Sequence, residues 1–546
     1  MPSGYVLPAM IRSWVFLLFA ALLIAQQPPA PAQKPGQVDG VVTNSATGDP
    51  VKKANVILQG TARYTAVTDA AGHFHIDNVT PGQYQPMATK DGFIPPLGDR
   101  WPAGAKLVSV AEEQEVKDLV VKLVPLATVN GRVLDEDGDP MMGAQVQALR
   151  YVYRQAGTRQ LQPAGFASSN DLGEFQLLDL EPGRYYFRVT VQRRMSRHAS
   201  KTRSAAPEQA YPDTYYPGAA QPAQATATQL APGAQLTNID FRLRKTAAYR
   251  VRGKIVDGRT GQPVHTRGMF QVMPRDRSFF GGGSFVPIQQ DGTFAARGVV
   301  SGSYLVSGQT EGLNCEQPVN VADQDVDDVM LVCNPPLQLS GTIRVDGTPP
   351  ANIGTMQVNL MAADNRGGAS NAADKDGNFS MQILPGVYQA QVFGAAGVYV
   401  KSMHFGDQDV SGGQIDLTQQ TSGALNIVLG TDVAEIQGTV QNENGEPAAG
   451  AVITIWPDEQ HQGRLDMHHQ LVSDQSGKFD YQDFAPGEYK AIAWESGDPE
   501  MLGSQEFRKE FESKAAPVSV QPGGHSSVQL KVVPAADIEA AKNKIQ

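Results

Sequence analysis

The sequence predicts an all-β chain built as five tandem seven-stranded β-sandwich domains. Three observations predict it. One turn-and-strand series recurs five times, Gly plus Pro makes up 92 of 546 residues, and each copy ends in an alternating apolar strand. Charged residues are only 18% and hydrophobic residues 41%. That is enough apolar side chain for real cores and too much for global disorder. A prior of about 150 residues per domain suggests fewer domains than the repeats do.

In order along the chain, residues 1–25 read as a secretory signal peptide. Arg12 precedes the apolar run Trp14 to Ala25, which is shorter than the roughly 20 residues a membrane-spanning helix needs. Residues 26–37 read as a Pro-rich leader. No transmembrane span is expected in the mature chain, which is placed outside the cytoplasm: periplasm, cell surface or medium.

The repeat itself is a strand carrying Gly, a turn ending in Pro, a Gly-x-Phe turn and a Gly-x-Tyr turn. Its marker residues are Gly40, Phe74 and Tyr84; Gly131, Phe175 and Tyr185; Gly253, Phe294 and Tyr304; Gly341, Phe379 and Tyr388; Gly438, Phe479 and Tyr489. The two turns stand 10, 10, 10, 9 and 10 residues apart, and the first Gly recurs after 91, 122, 88 and 97 residues. Such a period suits a small sandwich rather than a solenoid unit. The predicted domains are 38–124, 128–244 with a long insertion, 249–334, 337–430 and 435–533, joined by short linkers. A tail at 534–546 has helical composition and is expected to fray.

Each turn has a local cause. Asp69, Asn170, Asp374 and Asp474 open the Gly-x-Phe turn, and Gly supplies its positive φ. The third copy has Gln289 there and relies on Asp291-Gly292. Phe, two residues after Gly, is aimed at the core, and Tyr is the second core aromatic. Pro-Gly ahead of each Tyr reads as a type II turn, with Ser301 replacing Pro in the third copy.

This series resembles carboxypeptidase regulatory-like domains, which are Ig-like/prealbumin-like β-sandwiches related to Cna protein B-type repeats. The resemblance covers residues 38–533 five times over. It implies a carbohydrate-binding-like fold placed in a bacterial envelope protein, and implies no particular function. Tyr211 to Gly218 (YPDTYYPG) also resembles tandem versions from envelope proteins of soil bacteria.

Chemistry is sparse. None of the nine histidines has Glu three residues on, so the carboxypeptidase zinc motif is absent. No Gly-x-Ser-x-Gly and no phosphate-cradling Gly-rich loop occurs. An enzyme is not expected, and neither a metal nor another cofactor. The net charge of −11 argues against nucleic acid as a partner. His73 and His75 share one strand face and read as solvent-facing, and His461, His468 and His469 as a polar loop. Asp135 to Asp139 looks like part of a calcium loop, but the twelfth position is Val146 rather than Glu. Lys254 is the one lysine suited to an isopeptide bond, and no other first strand repeats it.

Cys315 and Cys333 lie symmetrically about residue 324, so a hairpin turning there sets them opposite each other. A disulfide is expected in an oxidising compartment. Candidate binding residues lie in the insertions. Arg193, Arg194, Tyr211, Tyr215 and Tyr216 form a basic and aromatic stretch in the second copy, and Trp101 and Trp494 stand in the first and fifth. Polysaccharide or an envelope protein is the partner these suggest. Three functions follow in order: an extracytoplasmic scaffold, spacer or adhesin; a carbohydrate-binding envelope protein; a periplasmic partner of an outer-membrane uptake or secretion system.

Overall fold

The computed structural model describes residues 34–545, apart from 97–106, 154–158, 192–207, 265–268, 276–283, 311, 349–352, 364–366, 395 and 419–422. The expected signal peptide, most of the expected leader, Trp101, Arg193 and Arg194 lie outside these residues. Strand dominates throughout. The chain divides into two compact units, the first holding the described residues of 34–44, 48–90 and 107–122.

In the first unit, Gly36–Asn44 runs beside His73–Val79, and Asn55–Gly60 lies between Arg63–Val67 and Gly82–Thr89. The strand thus begins inside the predicted leader. Val38, Val42, Val56, Leu58, Phe74, Ile76 and Tyr84 face inward between these sheets.

The second unit repeats the plan with separate buried clusters on residues 127–243, 251–333, 339–429 and 434–532. In each, the closing strand runs parallel to the first strand, for example Ala424–Gly430 along Leu337–Asp346. A parallel neighbour cannot arrive by a tight hairpin, so the intervening strands cross over to the second sheet and back. In the fifth repeat, Ala493 and Trp494 pair with Val532 and Val533, which joins its two sheets at one edge.

The third repeat joins its sheets differently. Leu313–Val321 and Val326–Asn334 meet antiparallel, with Cys315 directly opposite Cys333 and the two bonded as a disulfide. Both cysteines are buried, and the bond sits on the seam between the sheets. Replacing both by Ser is expected to remove about 3 kcal/mol, from a loop of this size. Denaturant midpoints with and without the replacement measure it, and an unmoved midpoint would contradict it.

The five-fold markers turn out to be one packing device. A Cβ on Gly438 would stand 2.5 Å from the Val528 carbonyl oxygen and closer still to the Phe479 ring. The same two partners, a closing-strand carbonyl and the Gly-x-Phe ring, crowd Gly40, Gly131, Gly253 and Gly341. The first strand therefore carries Gly because the Phe ring and the closing strand's carbonyl leave no room for a side chain. Each Tyr then fastens the next corner: its hydroxyl donates to the carbonyl four residues back, on Thr80, Glu181, Val300, Leu384 and Ala485. Tyr489→Phe should cost about 1 kcal/mol, the net worth of one hydrogen bond, read as a lower melting temperature of the fifth repeat.

The Gly-x-Phe turns are as the sequence predicts. The Asp69 carboxylate accepts from the N–H groups of Ala71 and His73, and Asp474 does the same for Ser476 and Lys478. The Pro-Gly elements differ from expectation. Gly183 and Gly487 have φ of 154° and 158°, far from the value near +80° of a type II turn. The left-handed residue comes earlier, at Asn78, Asp179 and Asp483 (φ 56°, 56° and 72°), where the strand bulges. Asn and Asp tolerate that conformation because their short polar side chains bond locally.

Two short helices, Pro499–Gly503 and Gln505–Lys509, interrupt the fifth repeat, which was expected to be all strand and loop. Asp498 caps the first, with Pro499 in its first turn, and Ser504 caps the second. The tail is likewise not frayed. Ala535–Ile545 is a helix with Ile538 buried, held by ion pairs Lys514–Asp537 and Lys544–Glu510.

Candidate functional site

The insertions were expected to carry binding residues, so their side chains decide where a site can be. In the second repeat the described part of the insertion is tied down. Tyr215 is buried beside Leu149, Leu161 and Tyr186. Tyr216 meets Phe241 edge-on at 6.0 Å and packs on the sandwich core. The buried Arg188 reaches Gln147 Oε1 and Asp213, fixing the segment from below. Burial raises the Asp213 carboxyl, and the Arg188 charge works against that rise. Tyr211 donates to Glu136, and Lys245 pairs with the same carboxylate 5.3 Å from the Tyr211 ring. Tyr215 is thus core rather than an exposed gripping surface, and Tyr216 is partly covered by its own sandwich.

Trp494 is also corrected. It is fully buried, its indole N–H donates to Thr454, and Phe507 and Phe511 pack against it. Tyr153 of the second repeat enters the same cluster, together with Met501, Leu502 and Ile538. Arg159 of the second repeat adds an ion pair to Glu506 and a bond to the Ile545 carbonyl. The second and fifth repeats therefore meet, although two repeats separate them in sequence.

The helix Gln505–Lys509 lines a cleft beside that cluster. Strand Val452–Pro457 brings Trp456 and Pro457 to its floor, and Gln505–Lys509 brings Arg508 and Lys509 to its wall. Asp458, Glu459, Gln462, Lys490, Gln505 and Glu512 complete a cleft of about 600 Å³, within the usual range of about 300–1,000 Å³ for small-molecule sites. The Arg508 guanidinium stacks 4.5 Å from the Trp456 ring and is 3% exposed. Its Nε has no hydrogen-bond partner, and Nη1 lies 3.5 Å from His468 Nδ1. Burial lowers its pKa to about 10.

The histidines behind this wall are not a polar loop. His468 donates from Nε2 to the Gln462 carbonyl at 3.0 Å, which leaves Nδ1 as the bare nitrogen facing Arg508. The His469 ring packs at a tilt against Phe484 and Tyr481, with centroids 4.2 and 5.2 Å away. Burial lowers both to about 4. His73 and His75 are exposed, as expected. His75 bonds Asp39 and Asp77, which raise its pKa.

Asp135 is a turn former: its carboxylate accepts from the N–H groups of Asp137 and Asp139. Lys254 is exposed. Among the described residues no group of three His, Cys, Asp or Glu side chains is placed to hold a metal. None of their helices is long and apolar enough to cross a membrane.

Arg508 and Trp456 were missed by sequence reasoning. Asp498-Pro499 was the available signal for a helix start, but two five-residue helices show no periodicity to confirm it.

Residues 37–98 match the family model of the carboxypeptidase regulatory-like domain. No curated protein matches the chain. Similar solved structures include a streptococcal ancillary pilin (14% identity, 55% of this chain and 99% of that one, TM-score 0.18). Others are the TIE protein of Bacillus anthracis (10%, 74% and 73%, TM-score 0.16) and BcpA, the major pilin subunit of Bacillus cereus (11%, 55% and 99%, TM-score 0.17).

Proposed function

We propose that this chain is a non-enzymatic extracytoplasmic scaffold or spacer that works by holding binding surfaces on rigid sandwiches. It comprises five domains at 38–124, 128–244, 249–334, 337–430 and 435–533, and the tail helix belongs with the fifth. One observation carries the reading: the residues repeated five times are spent on the fold. Gly and Phe pack on each other, every marker Tyr hydroxyl bonds a backbone carbonyl, and in four copies an Asp or Asn side chain holds the turn. Repetition of that kind selects for stable spacing and leaves recognition to what differs between copies.

The disulfide supports an oxidising compartment, and the apolar run at 14–25 supports export. The junction between the fourth and fifth repeats is tied by buried contacts. The buried Arg464 of the fifth repeat donates to the Val400 and Ser411 carbonyls of the fourth while paired with Asp466. Cell fractionation with thiol labelling tests the reading. Oxidised cysteines in an extracytoplasmic fraction are expected. Free thiols on a cytoplasmic chain, or substrate turnover by the purified chain, would overturn it.

A further inference from the structure

We propose that the cleft between Trp456 and Arg508 binds a uronic-acid sugar unit, with the sugar carboxylate on the Arg508 guanidinium. The starting point is a buried cation without a counter-charge. Arg508 is 3% exposed, its Nε is orphaned, and its one polar contact is the long approach to His468. The carboxylate whose charge acts on it, Glu512, is itself paired with Lys490. Among the described residues no carboxylate pairs with Arg508.

An unpaired buried charge is costly, and a guanidinium is the cation best suited to planar recognition of a carboxylate. The cleft is where an outside carboxylate can reach it. Lys509 stands exposed beside it and adds positive charge at the rim.

The rest of the lining argues for hydroxyls rather than a bare anion. Glu459 and Asp458 would repel a small multivalent anion but accept hydrogen bonds from sugar hydroxyls. Gln462 and Gln505, bonded to each other across the rim, offer amides of both polarities. Pro457 and the Trp456 ring provide apolar floor. A ligand with one carboxylate and several hydroxyls fits this mixture. The assignment goes beyond the scaffold reading, and its failure leaves that reading standing.

The test is calorimetric titration of the full chain with digalacturonate, its methyl ester and inorganic phosphate. Digalacturonate should bind with a Kd of about 1 mM or tighter, and the ester about tenfold more weakly. Arg508→Gln should abolish binding. Lys509→Gln, an exposed change that leaves the fold intact, should weaken it about threefold, as for one rim charge. Equal binding of acid and ester would overturn the proposal, as would phosphate binding as tightly as the sugar. So would absence of binding to the folded wild-type chain.

Discussion

Phe479→Ala is expected to destabilise the fifth repeat by about 3–5 kcal/mol, the range for removing a buried aromatic ring. Phe479 is buried, and its ring covers Gly438. Removing it opens a void over a residue that has no side chain to fill it. Neighbouring strands cannot close that void, because Gly438 is paired on both sides, to Phe479 and to Val528. Hydrogen exchange should speed up across 434–533, with the disulfide-bonded third repeat unaffected. A loss below about 1 kcal/mol would mean that the ring and the glycine are not one unit. The same change at Phe175 or Phe379 should repeat the effect in its own repeat, since the geometry recurs.

The second large effect is a loss of stability in weak acid. His468 and His469 have pKa values lowered to about 4 in the fold, chiefly by burial, against 6.5 when free. Arg508 opposes protonation of His468, and His468 opposes that of His469. Asp466 favours protonation of both. Above pH 6.5 both rings are neutral folded or unfolded, so their contribution is fully present. As pH falls from 6.5 to 4, the unfolded chain takes up protons that the folded chain refuses, and stability drops. Below pH 4 the fold is protonated too and the loss levels off.

The drop is up to about 3 kcal/mol for each ring. Denaturant midpoints between pH 7 and pH 4 measure it. His469→Leu should flatten the slope without cost at pH 7, because His469 Nε2 has no partner to lose. An unchanged slope in that variant would contradict the assignment. The turn carboxylates Asp374 and Asp474, whose pKa values are lowered by the N–H groups they accept from, add their own loss only at lower pH.

Much of the frame was legible because it is set by neighbours within about a dozen residues. Asp474 caps its turn, Gly477 takes φ 72°, and Phe479 and Tyr489 face the core. The cysteine register was legible for the same reason, since a hairpin maps sequence symmetry onto cross-strand position. The Pro-Gly turn was misread because the preceding bulge at Asp179 or Asp483 already turns the chain. The insertions were misread because an aromatic on a variable segment looks the same whether it faces solvent or core. Tyr215 and Trp494 are buried by partners that no local pattern points to.

The sequence by itself determined the repeating sandwich, its Gly-x-Phe turns, the inward marker aromatics and the disulfide. Each of these follows from sterics or hydrogen bonding between residues whose separation recurs or is symmetric. Only the tertiary structure decided what the fifth repeat presents. Trp494 is covered by helices, by the tail and by Tyr153 from 341 residues earlier. With that indole buried, the aromatic and cationic pair that lines a cleft is Trp456, itself largely buried, with the unpaired Arg508 over its ring. Burial and charge pairing are sums over everything nearby, and contacts that distant leave no period or spacing in the chain.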